Sequence, residues 1–225
     1  GSIKISKIPI VTNVLIVFFI LATLVTVGPS LDLYIGSLFY YGDKQFLIQG
    51  YYPVSIFFRK IILPLILIYV FVLPLVLRFF PLKKIYFGYK FSISEIIYIW
   101  VSGAVTMLLV VNILLKNMWG RARPNDVSYF NGFQDFTPWY KISDACSSNC
   151  SFVSGDSSVG FFLIVFYFIT KKNAYLYLGL ILGSLLGLIR VAAGGHFFSD
   201  IIFSQIVVTV TILVSFVLYK KFYDK

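Results

Sequence analysis

The strongest constraint on this chain is the recurrence of apolar stretches long enough to cross a bilayer. They run from about Ile8 to Val27, Val54 to Phe80, Ile93 to Leu115, Val159 to Thr170, Ala174 to Ile189 and Ile201 to Tyr219. A helix needs roughly 20 apolar residues to cross the hydrocarbon, and within it a lipid-exposed segment must satisfy its own backbone groups. With 59% hydrophobic residues, 12% charged residues and a mean hydropathy of +0.90, the chain reads as an all-α integral membrane protein with six transmembrane helices. The fourth stretch is short unless it begins near Phe152. Pro64 and Pro74 predict a kink in the second. No repeat or Pro/Gly-rich linker divides the sequence, so residues 1–225 read as a single membrane-embedded domain.

Basic residues orient the spans. With a cytoplasmic N-terminus, that side collects Lys4, Lys7, Arg78, Lys83, Lys84, Lys90, Lys171, Lys172, Lys220, Lys221 and Lys225, eleven of the nineteen lysines and arginines. Both termini then lie in the cytoplasm, and the connections at about 28–53, 116–158 and 190–200 face outward. Most of the +10 net charge is therefore flanking charge, which gives no reason to expect a nucleic-acid partner. No obligate protein partner is evident. Gly1 and Ser2 read as a cloning remnant. No small-residue cleavage motif follows the first span, which reads as a retained helix rather than a signal peptide.

Against this apolar background, the chemically versatile residues fall in two outward places. His196 is the only histidine, and it lies in Arg190-x5-His196-x3-Asp200. On a helix, residues four apart share a face, so Asp200 could hold the Nδ1 proton and leave the Nε2 lone pair free as a nucleophile. About seventy residues earlier comes Lys116-x6-Arg123-Pro124, with Arg121 between. Guanidinium groups grip phosphate oxygens in pairs and stay charged, so the two segments together describe a phosphoryl-transfer site. A third piece, Ser154-Gly155-Asp156, opens an apolar run, where small residues expose backbone N–H groups at the positive end of a helix dipole. The same residues would also serve as an ordinary helix cap. Arg59 and Lys60, at the outer end of the second span, either anchor that helix or touch a second lipid phosphate. Cys146 and Cys150 fall in the outward loop, where a spacing of four closes a small disulfide ring in an oxidising compartment; two free thiols are the alternative. Two cysteines and one distant histidine are too few for a zinc site, so no metal is expected.

These three motifs resemble those of the type 2 phosphatidic acid phosphatase superfamily of membrane lipid phosphatases, over roughly Leu115 to Ile202 and in the six-span layout. The resemblance implies that Lys116, Arg123 and Arg190 hold phosphate, that Ser154 and the Gly155 amide add hydrogen bonds, that His196 attacks phosphorus and that Asp200 orients it, with no cofactor. It departs at Asp156, which stands where the family has a histidine that protonates the leaving group. An unperturbed aspartate is ionised at neutral pH. Asp156 therefore reads as an acid held protonated by its surroundings, as a base that activates water, or as the sign of an inactive anion-binding site. The wording Cys-x3-Cys-Ser-Phe-Val-Ser-Gly-Asp and Gly194 to Asp200 is most similar to the lipid A 4′-phosphatase group of Gram-negative bacteria. That similarity implies an inner-membrane enzyme with a periplasmic site and a phosphorylated lipid substrate. The alternatives are another lipid phosphate, such as the lipid A 1-phosphate, undecaprenyl pyrophosphate or phosphatidylglycerophosphate, or transfer to a second lipid.

Overall fold

The computed structural model describes residues 9–48, 52–80 and 85–223. Lys4, Lys7, Lys83, Lys84 and Lys225, on which part of the orientation rests, lie outside the described residues. The chain is mostly helical. Helix α1 spans Pro9–Val27 and the short α2 spans Ser30–Ser37. A small antiparallel hairpin follows, β1 (Tyr40–Gly42) with β2 (Gln45–Phe46), pairing Tyr40 with Phe46. Then come α3 (Pro53–Phe79), α4 (Ile93–Asn117), α5 (Gly155–Thr170), α6 (Asn173–Ala192) and α7 (Phe198–Tyr223).

Five helices among the described residues, α1, α3, α4, α6 and α7, are long and apolar enough to cross a membrane. Six were expected. The odd one is α5, which corresponds to the short fourth stretch and starts at Gly155 rather than near Phe152. At about 1.5 Å per residue it reaches roughly 24 Å, less than the ~30 Å of a hydrocarbon core. It is also the most enclosed element: Phe161, Phe162, Leu163, Ile164, Val165 and Phe166 are all buried. By contrast, only 17% of the spanning windows of α1 and α3 is buried. Helix α5 is thus the axis that the other helices wrap. Close approach to α6 depends on missing side chains, since a Cβ on Gly160 would stand 2.5 Å from the Gly183 nitrogen.

The prolines of α3 are absorbed by local widening. A proline removes one N–H and crowds the carbonyl four residues back. Here wider i→i+5 turns over Phe58–Ile62 and Ile68–Val72 precede Pro64 and Pro74, carrying the crowded carbonyls of Lys60 and Val70. The second half of α4, Ala104–Asn117, winds the same way and delivers Lys116 to its end.

Residues 118–154, α2 and the hairpin gather at one end of the helices around Phe46, Ala122, Val127, Phe130 and Phe197. Main-chain bonds stitch this layer to the helix ends: Ile48 N–H donates to Ala192 O at 3.0 Å and Asn125 N–H to Gly194 O at 3.0 Å. Cys146 and Cys150 are joined as a disulfide, Cα to Cα 5.7 Å.

Candidate active site

His196 sits in the turn between α6 and α7. Gly194 takes a left-handed φ of +66°, and a Cβ on Gly195 would stand 2.4 Å from Arg190 Nη2, so a side chain there would push the guanidinium from its present place. The imidazole is 3% exposed. Its Nδ1 lies 2.7 Å from the carbonyl oxygen of Ser151, and because a carbonyl only accepts, Nδ1 carries the proton and Nε2 the lone pair. Asp200, the expected orienting partner, is also there but farther, with Oδ2 3.5 Å from Nδ1. That oxygen is occupied by the Ser151 hydroxyl at 2.5 Å and the Phe197 amide at 2.8 Å. Ser151 therefore touches both partners, its carbonyl on the imidazole and its hydroxyl on the carboxylate. Burial pushes the His196 imidazole below its ordinary range, to about 4; Asp200 opposes this, and Lys116 and Arg123 add to it.

Behind the imidazole lies a sealed network of charges. Arg121, expected as a further substrate contact, is fully buried, and each of its three guanidinium nitrogens donates a hydrogen bond. Nη1 donates to Asp200 Oδ1 and Ser199 Oγ, both at 2.7 Å, Nη2 to Asp32 Oδ2 at 2.8 Å and Nε to the Thr137 carbonyl at 2.9 Å. The Phe197 ring lies 4.3 Å from its guanidinium carbon. Enclosed in this way, Arg121 has no route to a substrate phosphate, so that expectation is corrected. Asp32 also accepts from the Ser199 amide at 2.8 Å and the Ser199 hydroxyl at 2.5 Å.

In front of the imidazole the cations run from buried Lys116, through partly buried Arg123 and Arg190, to exposed Arg59. Lys116 Nζ donates to Asn149 Oδ1 and to the Cys150 carbonyl, each at 3.2 Å, and Arg123 Nη2 reaches the same Asn149 Oδ1 at 3.2 Å and its carbonyl at 2.7 Å. Arg123 Nη1 touches the Gly195 carbonyl at 3.3 Å, next to His196. Burial lowers the Arg123 guanidinium from its usual range, with Asp200 opposing. Two main-chain bonds hold the loop here, Cys150 N–H to Lys116 O at 3.1 Å and Ser151 N–H to Arg121 O at 2.9 Å. Asp156, at the first turn of α5, pairs with Arg59 Nε at 3.2 Å and faces Arg190 Nε at 3.7 Å. That Arg190 nitrogen is buried and makes no hydrogen bond. Ser154 caps α5, its hydroxyl accepting the Ser157 amide at 3.4 Å, and a Cβ on Gly155 would lie 3.3 Å from Lys116 Cε. Lys60, the next residue after Arg59, is exposed. Among the described residues no three His, Cys, Asp or Glu side chains come together as a metal site.

The structure therefore brings Lys116, Arg123, Arg190, Arg59, Asp156, His196 and Asp200 to one place and diverts Arg121 inward. Sequence reasoning missed Asp32, Asn149 and the Ser151 carbonyl. Asn149 lies between the two cysteines, a position that could have drawn notice. Asp32 carries no local signal at all, since its partners lie 89 and 167 positions away.

Comparison with known proteins points the same way. The chain is 43% identical over 121 residues to the lipid A 4′-phosphatase of Francisella tularensis subsp. novicida (strain U112), which is 52% of this chain and 53% of that one. It is 34% identical over 98 residues to the lipid A 4′-phosphatase of Rhizobium leguminosarum, 42% of each chain. The chain thus spans about half the length, or less, of these curated relatives. No solved structure matches. The pattern of the PAP2 superfamily matches residues 97–224, a stretch that contains Lys116, Arg123, Asp156, Arg190, His196 and Asp200, and the chain belongs to that superfamily.

Proposed function

We propose that this protein is a metal-independent lipid phosphatase that removes a phosphomonoester, the 4′-phosphate of lipid A, through a phosphohistidine intermediate. One observation carries this reading. Lys116, Arg123 and Arg190, supplied by two helix ends and a loop, converge beside an imidazole whose Nδ1 is already committed, and Arg190 Nε is buried without a hydrogen-bond partner. Three cations gathered beside one imidazole, one of them with an unbonded buried nitrogen, favour an incoming phosphate. The substrate class is supported by the relatives, which are lipid A 4′-phosphatases.

In this mechanism the phosphate displaces Asp156 from Arg190 and is gripped by Lys116, Arg123 and Arg190, with the hydroxyl of Ser154 and the amide of Gly155 adding hydrogen bonds. His196 Nε2 attacks phosphorus, forming an N–P bond as the ester P–O bond breaks. The bonding pair leaves on the lipid oxygen, which takes a proton from Asp156. Water then attacks phosphorus, Asp156 accepts its proton, and the N–P bond breaks to release phosphate and restore the imidazole. Asp156 thus serves as acid and then as base. Arg59 and Lys60 stand at the rim as contacts for the rest of the headgroup.

We place the site at the periplasmic face of a bacterial inner membrane, with both termini cytoplasmic and α5 as the sixth crossing in a single domain. The basic residues at the opposite ends of the helices support this orientation. The deciding experiment is phosphate release from reconstituted lipid A by parent and His196→Ala protein, with mass spectrometry to locate the lost phosphate. Activity that disappears in the variant and is unaffected by EDTA is expected. Turnover retained by His196→Ala would sink the mechanism, and loss of the 1-phosphate would move the substrate assignment.

A further inference from the structure

Asp32 is a fully buried carboxylate on α2, outside the stretch that the superfamily pattern covers. It shares one guanidinium with Asp200: Arg121 Nη2 donates to Asp32 at 2.8 Å while Nη1 donates to Asp200 at 2.7 Å. Ser199 bridges the same groups, receiving a bond from Arg121 Nη1 at 2.7 Å and donating its hydroxyl to Asp32 at 2.5 Å. Without Asp32, Arg121 would neutralise Asp200 alone. With it, two carboxylates share one cation, so Asp32, Arg121 and Asp200 together carry a single net negative charge behind the imidazole.

We propose that Asp32 is a positioning residue for the phosphatase reaction, dividing Arg121 so that Asp200 keeps an uncompensated charge facing His196. This rests on the phosphohistidine reading. When the N–P bond forms and the lipid P–O bond breaks, the electron pair and the proton from Asp156 leave with the lipid oxygen. The ring keeps its Nδ1 proton and becomes positively charged. A buried cation that appears only along the reaction is stabilised by a negative charge set in place beforehand. Asp200 Oδ2, 3.5 Å from Nδ1, is where that charge is exerted, and Asp32 keeps it from being spent on Arg121.

The test compares the full chain in detergent or vesicles as parent, His196→Ala, Asp32→Asn and the double variant Asp32→Asn/Arg121→Gln, reading lipid A phosphate release and thermal unfolding. His196→Ala tests the underlying mechanism alone: if it retains turnover, the phosphohistidine reading fails whatever the other variants do. With that reading intact, Asp32→Asn is expected to lower kcat by about 10- to 100-fold, short of the ~10⁴ seen when an orienting carboxylate itself is neutralised, with KM unchanged. The double variant removes a second charge yet restores the net negative one. It should therefore recover at least about tenfold in kcat over Asp32→Asn, an outcome that a purely structural role does not produce. A folded Asp32→Asn protein with parental kcat overturns the proposal. So does a folded double variant no faster than the single, or failure of both Asp32 variants to fold, which would assign Asp32 to the scaffold.

Discussion

The two halves of the charged cluster use the same residue types to opposite ends. Behind His196, Arg121 is fully buried, and its guanidinium is shared among Asp32, Asp200, Ser199 and a carbonyl. In front of it, Arg190 keeps a buried Nε without a hydrogen bond among the described residues, and Arg59, on the exposed rim, holds Asp156 at 3.2 Å. An arginine enclosed among fixed acceptors offers no open face to a ligand and fixes geometry. An unsaturated one stores attraction for an anion that has yet to arrive. Sequence alone does not separate them, because Arg121 and Arg123 lie two residues apart in one motif.

The two halves should differ most in what they contribute to stability. Arg121→Ala leaves two carboxylates buried around an empty space and is expected to cost about 3–5 kcal/mol. Arg190→Ala should cost less, about 1 kcal/mol, because Asp156 is partly exposed and keeps Arg59 as a partner. Thermal or denaturant unfolding in detergent checks both; equal losses would erase the distinction. On catalysis the order reverses. Arg123→Lys and Arg190→Lys should each lower kcat/KM by roughly 100-fold while unfolding like the parent, since a planar fork is replaced by a point charge. Parental kcat/KM in both would make them anchors rather than ligands.

A finer test uses the pH dependence of the histidine that separates the halves. Burial depresses the imidazole in the folded protein below its ordinary 6.5, to about 4. The folded state therefore binds fewer protons than the unfolded chain between those values, so this contribution is complete above about 6.5 and is lost as pH falls toward 4. The parent should lose more unfolding temperature than His196→Asn between pH 7 and pH 4.5; parallel curves would contradict the buried neutral ring. The smallest effect is expected at the disulfide. Replacing Cys146 and Cys150 with serine frees the loop that carries Asn149, whose side-chain oxygen joins Lys116 to Arg123. A loss on the order of 1 kcal/mol, about fivefold in kcat/KM, is expected, and no change would show that the cations hold their places unaided.

What could be read from the residues followed the range of the signal. Membrane class and the location of the spans are written in runs of neighbours, and the motif residues gathered where their spacing suggested. The length of α5 was visible too, but its place at the centre was not, because burial against α6 through Gly160 and Gly183 depends on a partner more than twenty positions away. The proline kink was expected in α3, and there the structure shows two widened turns, since a helix can move a crowded carbonyl aside without ending. Arg121 was legible as a cation and illegible as a buried one. Its partners Asp32, Thr137 and Asp200 come from three separate parts of the chain, and only the assembled layer decides that no water or ligand reaches it.

The contact between His196 Nδ1 and the Ser151 carbonyl has an implication for how such a protein can vary. A side-chain partner is written in one codon and can be lost by one substitution. A carbonyl belongs to every residue, so the identity at position 151 can drift without removing the acceptor that fixes the tautomer, while its hydroxyl bond to Asp200 would be lost. What heredity must preserve is the path of the chain from Lys116 back to Cys150 and Ser151, held by two main-chain bonds. For an engineer, this makes the loop backbone a poorer target than its side chains: insertions or deletions near Asn149 should disarm the imidazole where point changes would leave its orientation intact.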